Sequence, residues 1–245
     1  MSRWKAFAIH LLLSASIAGA MLALMLMVWY PWPLFEAAGG SGLTVILVGV
    51  DVVVGPLITL IIFKAGKKGL KFDLMIIALA QLSALAYGVH VVYIARPAYL
   101  VYNFDRFDLV TAVQLDPQDL AKATRAEFRN PPADGPLYVA AVLPADVEEQ
   151  HKILDSALQG KDLHLFPQHY VPYEQEAQNA LKRARTVDAA LDRDSSGEVA
   201  RYLESTGRSR DSVKVLPLRA RNREATVLLD AASGKPLKIV LVDLW

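Results

Sequence analysis

Asp51, Gln81, Tyr87 and His90 lie inside long apolar stretches, with Arg96 at the end of the last of them. A carboxyl group at the centre of a hydrocarbon layer costs about 2.5–3.5 kcal/mol on insertion scales, so Asp51 must face protein, take up a proton or contact water. Three roles are open to it: a clamp between helices, a contact to a partner, or proton transfer. Counted from the outer end of its stretch, Asp51 is about 12 Å deep at the helical rise. On an antiparallel neighbour that is the level of Tyr87, with His90 within a turn, so Asp51 is expected to hydrogen-bond one of the two. Gly55 and Pro56 follow; the ring removes a donor and clashes with the carbonyl four residues back, which predicts a kink over 52–56. Small residues recur every fourth position at Ala15, Gly19 and Ala23, and again at Ala80, Ala84 and Gly88. Such stripes let helices approach closely and are the expected helix-docking faces.

The remaining sequence offers little catalytic chemistry. It has no Walker A loop, Rossmann glycine fingerprint, nucleophile elbow or His-Glu-x-x-His helix. The lack of cysteine excludes disulfides, thiolate zinc sites, iron–sulfur clusters and thiol nucleophiles together. His151, His164 and His169 lack ligand spacing, so no metal and no cofactor is expected. Asp192-Arg193-Asp194-Ser195-Ser196-Gly197 opens like a calcium loop, but Leu203 stands where a bidentate Glu is needed. Ser195 with Glu198 instead fits a capping box for a helix through Glu204. Arg219, Arg221 and Arg223 alternate, which places them on one strand face or at its turn, as a solvated edge or a surface for an acidic partner.

The elements that position these groups follow from composition. Of 245 residues, 53% are hydrophobic and 21% charged, too apolar for an ordinary soluble domain. The 26 basic and 25 acidic residues leave a net charge of +1, which argues against wrapping nucleic acid. The apolar excess is concentrated in Phe7 to Val28, Leu43 to Phe63 and Phe72 to Ala95, each longer than the roughly 20 residues that cross a bilayer as a helix. Ala18-Gly19-Ala20 resembles a signal-peptide cleavage site, but the first run exceeds the roughly 7–15 residues of such a segment and reads as an uncleaved anchor. Arg3 and Lys5 precede the first run, and Lys64, Lys67, Lys68 and Lys71 fill the second connection, whereas Tyr30 to Gly42 carries only Glu36. Positive-inside therefore places the N-terminus in the cytoplasm and the C-terminal part in the periplasm of a bacterial inner membrane. Trp29, Tyr30, Trp32 and Phe35 supply an outer aromatic belt, with Trp4 at the inner face.

Residues 1–97 are thus expected to form a three-helix transmembrane domain, and 98–245 a periplasmic α+β domain with an antiparallel sheet. In the latter, Tyr99 to Asp105, Phe107 to Leu115 and Leu137 to Leu143 read as strands. Asp116-Pro117 opens a helix to Phe128, before the break at Asn130-Pro131-Pro132. Further helices are expected over Ala145 to Leu158 and Glu174 to Leu191. Ser212 to Arg219, Glu224 to Asp230 and Pro236 to Val242 read as a three-strand meander, turning at Ser233-Gly234.

Particular runs also carry a family resemblance: Asp51-Val52-Val53-Val54-Gly55-Pro56-Leu57-Ile58-Thr59-Leu60-Ile61-Ile62-Phe63-Lys64, Asp73-Leu74, Gln81-Leu82, Tyr87-Gly88, and Arg96-Pro97-Ala98-Tyr99-Leu100-Val101 leading into Asp105-Arg106-Phe107. Over about residues 45–115 the chain resembles the type IV pilin accessory proteins called TfpX or TfpZ, which are multi-pass inner-membrane proteins. The resemblance implies a chaperone-like protein, not an enzyme, that helps the major type IV pilin reach or assemble from the membrane. Its implied partners are that pilin and other inner-membrane pilus assembly proteins. A pilin keeps an apolar helix in the bilayer and its head outside. A companion therefore needs a transmembrane docking face, expected at one of the small-residue stripes, and a periplasmic surface.

Two other classes stay open. A transmembrane sensor would bind a ligand through the outer domain, but its short basic cytoplasmic segments would need a separate signalling partner. A membrane-embedded modifying enzyme would need a charged site near the outer interface, for which Asp51, His90 and Arg96 are the candidate cluster.

Overall fold

The computed structural model describes residues 2–245, apart from the side chains of residues 46 and 47. The chain divides into two units: a helical unit made of the chain up to Pro31 with Gly40–Ala95, and a sheet unit made of Trp32–Gly39 with Arg96–Trp245.

Three helices of the helical unit, Arg3–Trp29, Gly40–Ile62 and Leu70–Ile94, are long and apolar enough to cross a membrane. Ala6, Ser14, Ala18 and Met21 of the first helix are buried, their spacing placing the last three on one stripe. Leu12, Met27, Ile61, Phe72 and Leu79 are exposed, a pattern that suits hydrocarbon as solvent. The first helix closes in a π-helical turn, Met25–Trp29. Tyr30, wholly buried, then donates its hydroxyl to the Val92 carbonyl at 2.8 Å, and Trp29 meets Tyr93 edge-on at 5.2 Å.

Eight strands of the sheet unit form one sheet: β1 (Pro97–Asn103), β2 (Arg106–Thr111), β3 (Leu137–Ala141), β4 (Tyr170–Pro172), β5 (Arg185–Thr186), β6 (Val213–Arg219), β7 (Ala225–Asp230) and β8 (Pro236–Val240). The order is β4-β3-β1-β2-β6-β7-β8, with β5 on β6. The β1–β2 hairpin is central, and both its outward neighbours run parallel to it, β3 beside β1 and β6 beside β2. The sheet is therefore mixed, not antiparallel as alternation alone suggests. The parallel partners are joined by long connections, as they require: residues 104–136, which include β2, between β1 and β3, and residues 112–212, which include β3, β4 and β5, between β2 and β6. Every β1 residue is buried, with Tyr99 and Val101 in one core and Leu100 and Tyr102 in another, as befits a strand covered on both faces.

Two expected helices are interrupted. The segment after Asp116 is helical only over Pro117–Ala121; a 3-10 turn at Ala126–Phe128 then sets Phe128 against Tyr99 and Tyr170. Glu174 to Leu191 is broken where β5 pairs with Lys214 and Val215, leaving helices Ala177–Arg183 and Asp188–Leu191. Strand pairing outweighs the helical propensity of the arginines and alanines around it.

Trp32–Gly39, between the first two apolar helices, is part of the sheet unit's core. Leu34 and Ala37, in the short helix Leu34–Ala37, pack with Leu100, Phe107, Leu216 and Leu218. The amides of Asn222 and Arg223 donate to the Ala37 carbonyl at 3.0 and 3.3 Å, and Asn222 Nδ2 to that of Glu36 at 2.9 Å. Gly39 follows at φ +81°, where an added Cβ would touch Asn222. The expected aromatic belt is corrected accordingly: Tyr30 and Phe35 are buried within protein, while Trp32 is 60% exposed. Leu34→Ala should destabilise the sheet unit by about 2–5 kcal/mol, whereas Trp32→Ala should change it by less than about 0.5 kcal/mol. Denaturant unfolding of the full chain in detergent, followed by protease resistance of the sheet unit, checks this; equal effects would contradict it.

Candidate functional site

Polar groups from all three helices of the helical unit gather around the second. That helix is α-helical over Gly40–Val48, π-helical over Gly49–Val54 and α-helical again over Gly55–Ile62. The irregularity expected before Pro56 thus takes the form of a widened turn. Within it Gly55 N–H donates to the Val50 carbonyl, five residues back. Pro56 is the next residue and has no N–H to give the Asp51 carbonyl in the same pattern. The freed carbonyl is served from the third helix, where Gln81 Nε2 donates to it at 3.5 Å. Gly55 makes room for that contact, since a Cβ there would stand 1.8 Å from Gln81 Nε2.

Asp51 itself is 8% exposed and faces Ser14, His10 and Gln81 in a cleft of about 210 Å³. One side of this group is closed by His10 Nδ1 and Thr59 Oγ1, hydrogen-bonded at 2.7 Å. The expected bond to Tyr87 or His90 is not formed; Tyr87 is 72% exposed, and His90 is exposed as well. The second helix starts at Gly40, ahead of the apolar run at Leu43, so reckoning depth from that run misplaces it. Asp51 and Gln81 are equally far from the connection that joins Phe63 to Gly69. His90 lies roughly 13 Å further along the third helix than Gln81, so the acid–base cluster of Asp51, His90 and Arg96 is not assembled around Asp51. Gln81 stands out in the sequence as a polar intruder; His10, Ser14 and Thr59 do not, because their spacing on two helices carries no signal. Of the small-residue stripes, Ala15, Gly19, Ala23 and Ala80 are exposed, while Ala84 and Gly88 are half-buried.

In the sheet unit, the residues after the third helix are structural anchors. Arg96 is 4% exposed and donates from Nε to the Pro132 carbonyl at 2.9 Å and from Nη2 to that of Pro131 at 3.0 Å. Pro97 opens β1, and Phe107 packs against Tyr102, Tyr138 and Tyr173. Asp105 lies in the hairpin turn beside Phe104, whose φ is 58°. Buried Asp108 accepts from Arg106 Nε at 3.2 Å and from Asn103 Nδ2 at 3.3 Å, and Arg106 reaches Asp162 at 3.5 Å. His164 Nδ1 lies 3.9 Å from both Asp108 and Asp162 and finds no hydrogen-bond partner among the described residues. Burial pushes His164 below the ordinary histidine value, outweighing those carboxylates, and does the same to His169 against Glu149. Burial raises Tyr99 and Tyr102 to about 12, so both hydroxyls keep their protons at neutral pH. Asp119 is penalised by burial but held ionised below its usual value by Lys122 and Lys161.

The calcium-like loop is spent on capping: Asp194 accepts from the amides of Ser196 and Val199 at 3.1 and 2.6 Å. Asp194, not Ser195, thus fills the capping role, and Glu198 turns to Lys238 at 3.7 Å. Arg219 ends β6 with its guanidinium over the Trp245 ring at 5.7 Å, while Arg221 and Arg223 occupy the turn to β7. Among the described residues no His, Asp or Glu group is arranged to hold a metal.

Fold and site define a multi-helix candidate membrane protein with one mixed α/β sheet unit. The family of fimbrial assembly protein FimB matches residues 1–39. The chain is 31% identical to the fimbrial assembly protein of serogroup I from Dichelobacter nodosus, over 92% of this chain and 90% of that one. The serogroup E1 protein of the same organism matches at 31% with the same coverage. That of serogroups C1 and C2 is 36% identical over 44% of this chain and 83% of its own. No solved structure matches. The chain belongs to the fimbrial assembly protein family.

Gln81→Leu leaves the Asp51 carbonyl without its donor and should cost about 1–2 kcal/mol of helical-unit stability; Gly55→Ala, which displaces Gln81, should cost at least as much. Thermal denaturation in detergent reads both, and an additive double variant would contradict the shared contact.

Proposed function

We propose that this chain is an inner-membrane accessory protein of type IV pilus assembly, of the kind called TfpX or TfpZ. In this reading it acts by binding the major pilin as a chaperone would, not by catalysis. The observation that carries it is the similarity to fimbrial assembly proteins over 92% of the chain, which includes both units. A role in assembly therefore draws on helices and sheet together.

The arrangement of basic residues supports an orientation with the N-terminus and the 64–71 connection in the cytoplasm and the sheet unit in the periplasm. Trp32–Gly39 and Arg96–Trp245 fold as one unit, which suits three crossings, because an odd number of spans leaves those two segments on the same side. A pilin with a membrane-embedded helix and an external head would then meet a helical face and a sheet-unit face of one companion.

Deleting the chain should reduce surface pili while leaving pilin transcription unchanged. Pilin should also co-purify in detergent with the full-length chain. Unchanged pilus number together with no co-purifying pilin would overturn this reading.

A further inference from the structure

The clefts beside the second helix have a shape and a chemistry that point to one kind of occupant. One, of about 210 Å³, is lined by His10, Leu13, Ser14, Asp51, Gln81 and Leu82, among others. The other, of about 260 Å³, shares His10, Leu13, Ala78 and Gln81 with it and extends to Ala6, Thr59 and Leu74. They form one trough between the first and third helices, with the second as its floor. Along the first helix it runs from Ala6 to Ile17, about three turns or roughly 16 Å. Its rims are leucine and isoleucine, and all three helices contribute polar groups to its lining.

Those polar groups are not equally satisfied. His10 and Thr59 bond each other, and the Gln81 amide is spent on the Asp51 carbonyl. The Asp51 carboxyl lines the trough, on a residue more than nine-tenths buried, and no donor among the described residues reaches it. Ser14, 7% exposed, adds a second polar side chain beside it. A lipid tail could fill the apolar rims but has no donor for the carboxyl. A helix can do both, covering the rims and turning one donor side chain inward.

We propose that this trough seats a single apolar transmembrane helix of a partner protein, one that brings a hydrogen-bond donor to Asp51. The inference rests on the pilin-binding reading and assigns where the partner's helix lies. It prefers the trough to the exposed Ala15/Gly19/Ala23 stripe, because the trough combines apolar walls about three helical turns long with an unmet polar demand, and the stripe offers neither.

The test is photo-crosslinking in cells from the full chain. Probes replace Leu13 or Leu82 on the trough, Leu12 or Leu79 on exposed faces outside it, and Phe104 or Leu158 on exposed parts of the sheet unit. The inference predicts pilin adducts from Leu13 and Leu82 at least tenfold above those from Leu12 and Leu79. Asp51→Leu should lower the trough adducts about fivefold to tenfold, the worth of one hydrogen bond, while Asp51→Asn, which keeps an acceptor, should hold them within about twofold. Trough probes that capture only lipid or a second copy of this chain would overturn the inference. So would pilin captured from the sheet unit or the exposed helix faces alone, although that result would leave pilin binding intact. Pilin captured from no position would overturn both.

Discussion

Hydrocarbon offers no hydrogen-bond partner, and a helical unit whose three helices are long and apolar enough to cross a membrane is arranged to meet that constraint. Each backbone group there must be satisfied by its own helix or by a neighbour. Pro56 breaks the rule locally, the π-helical turn before it leaves the Asp51 carbonyl without a donor, and Gln81 supplies one from the third helix. Gly55 has no side chain because the Gln81 amide occupies that space. Asp51, Gly55, Pro56 and Gln81 are therefore one device, each explained by the others. Asp51 contributes to it through its backbone, which leaves the carboxyl available to something else.

Buried backbone makes the same demand in the sheet unit. The Ala37 carbonyl takes two amides from the turn between β6 and β7. The Pro131 and Pro132 carbonyls, in a segment whose prolines cannot donate, take the Arg96 guanidinium. In both places a residue lying next to an apolar helix in sequence is fastened into the sheet unit by hydrogen bonds to backbone far away in the chain. What reads as a loop between two spans is thus a structural member of the folded domain. Arg96, which in sequence looks like a charge at a membrane boundary, is a buried anchor.

Much of this was legible in the residues. Length and hydropathy defined the helices, because a run that can cross a bilayer needs no tertiary context to be recognised. Alternation located β1, β2 and the final meander. The parallel pairings of β3 and β6 were not legible, since alternation describes one strand and says nothing of its neighbours. β5 was hidden in a helix-favouring stretch, and only its pairing with β6 makes it a strand. At the site, Asp51, Gly55, Pro56 and Gln81 stood out as costly residues in an apolar context. Their partnership did not, because depth was reckoned from an apolar run that starts after the helix does. His10, Ser14 and Thr59 were silent for a different reason: polar residues of that size are common in apolar helices, and only packing shows which of them line one cleft.

Family membership supports a role in fimbrial assembly, and the proposed function gives the helices a partner's seat and the sheet unit a place beyond the bilayer. The claim beneath this is one of sidedness. The chain has no cysteine of its own, so single cysteines report it cleanly. Lys68→Cys in the connection between the second and third helices and Ser209→Cys in the sheet unit both lie at exposed positions. In intact spheroplasts, a membrane-impermeant maleimide should label position 209 and spare position 68 until the cells are lysed. Labelling of position 68 with protection of 209 would place the sheet unit in the cytoplasm and contradict the account.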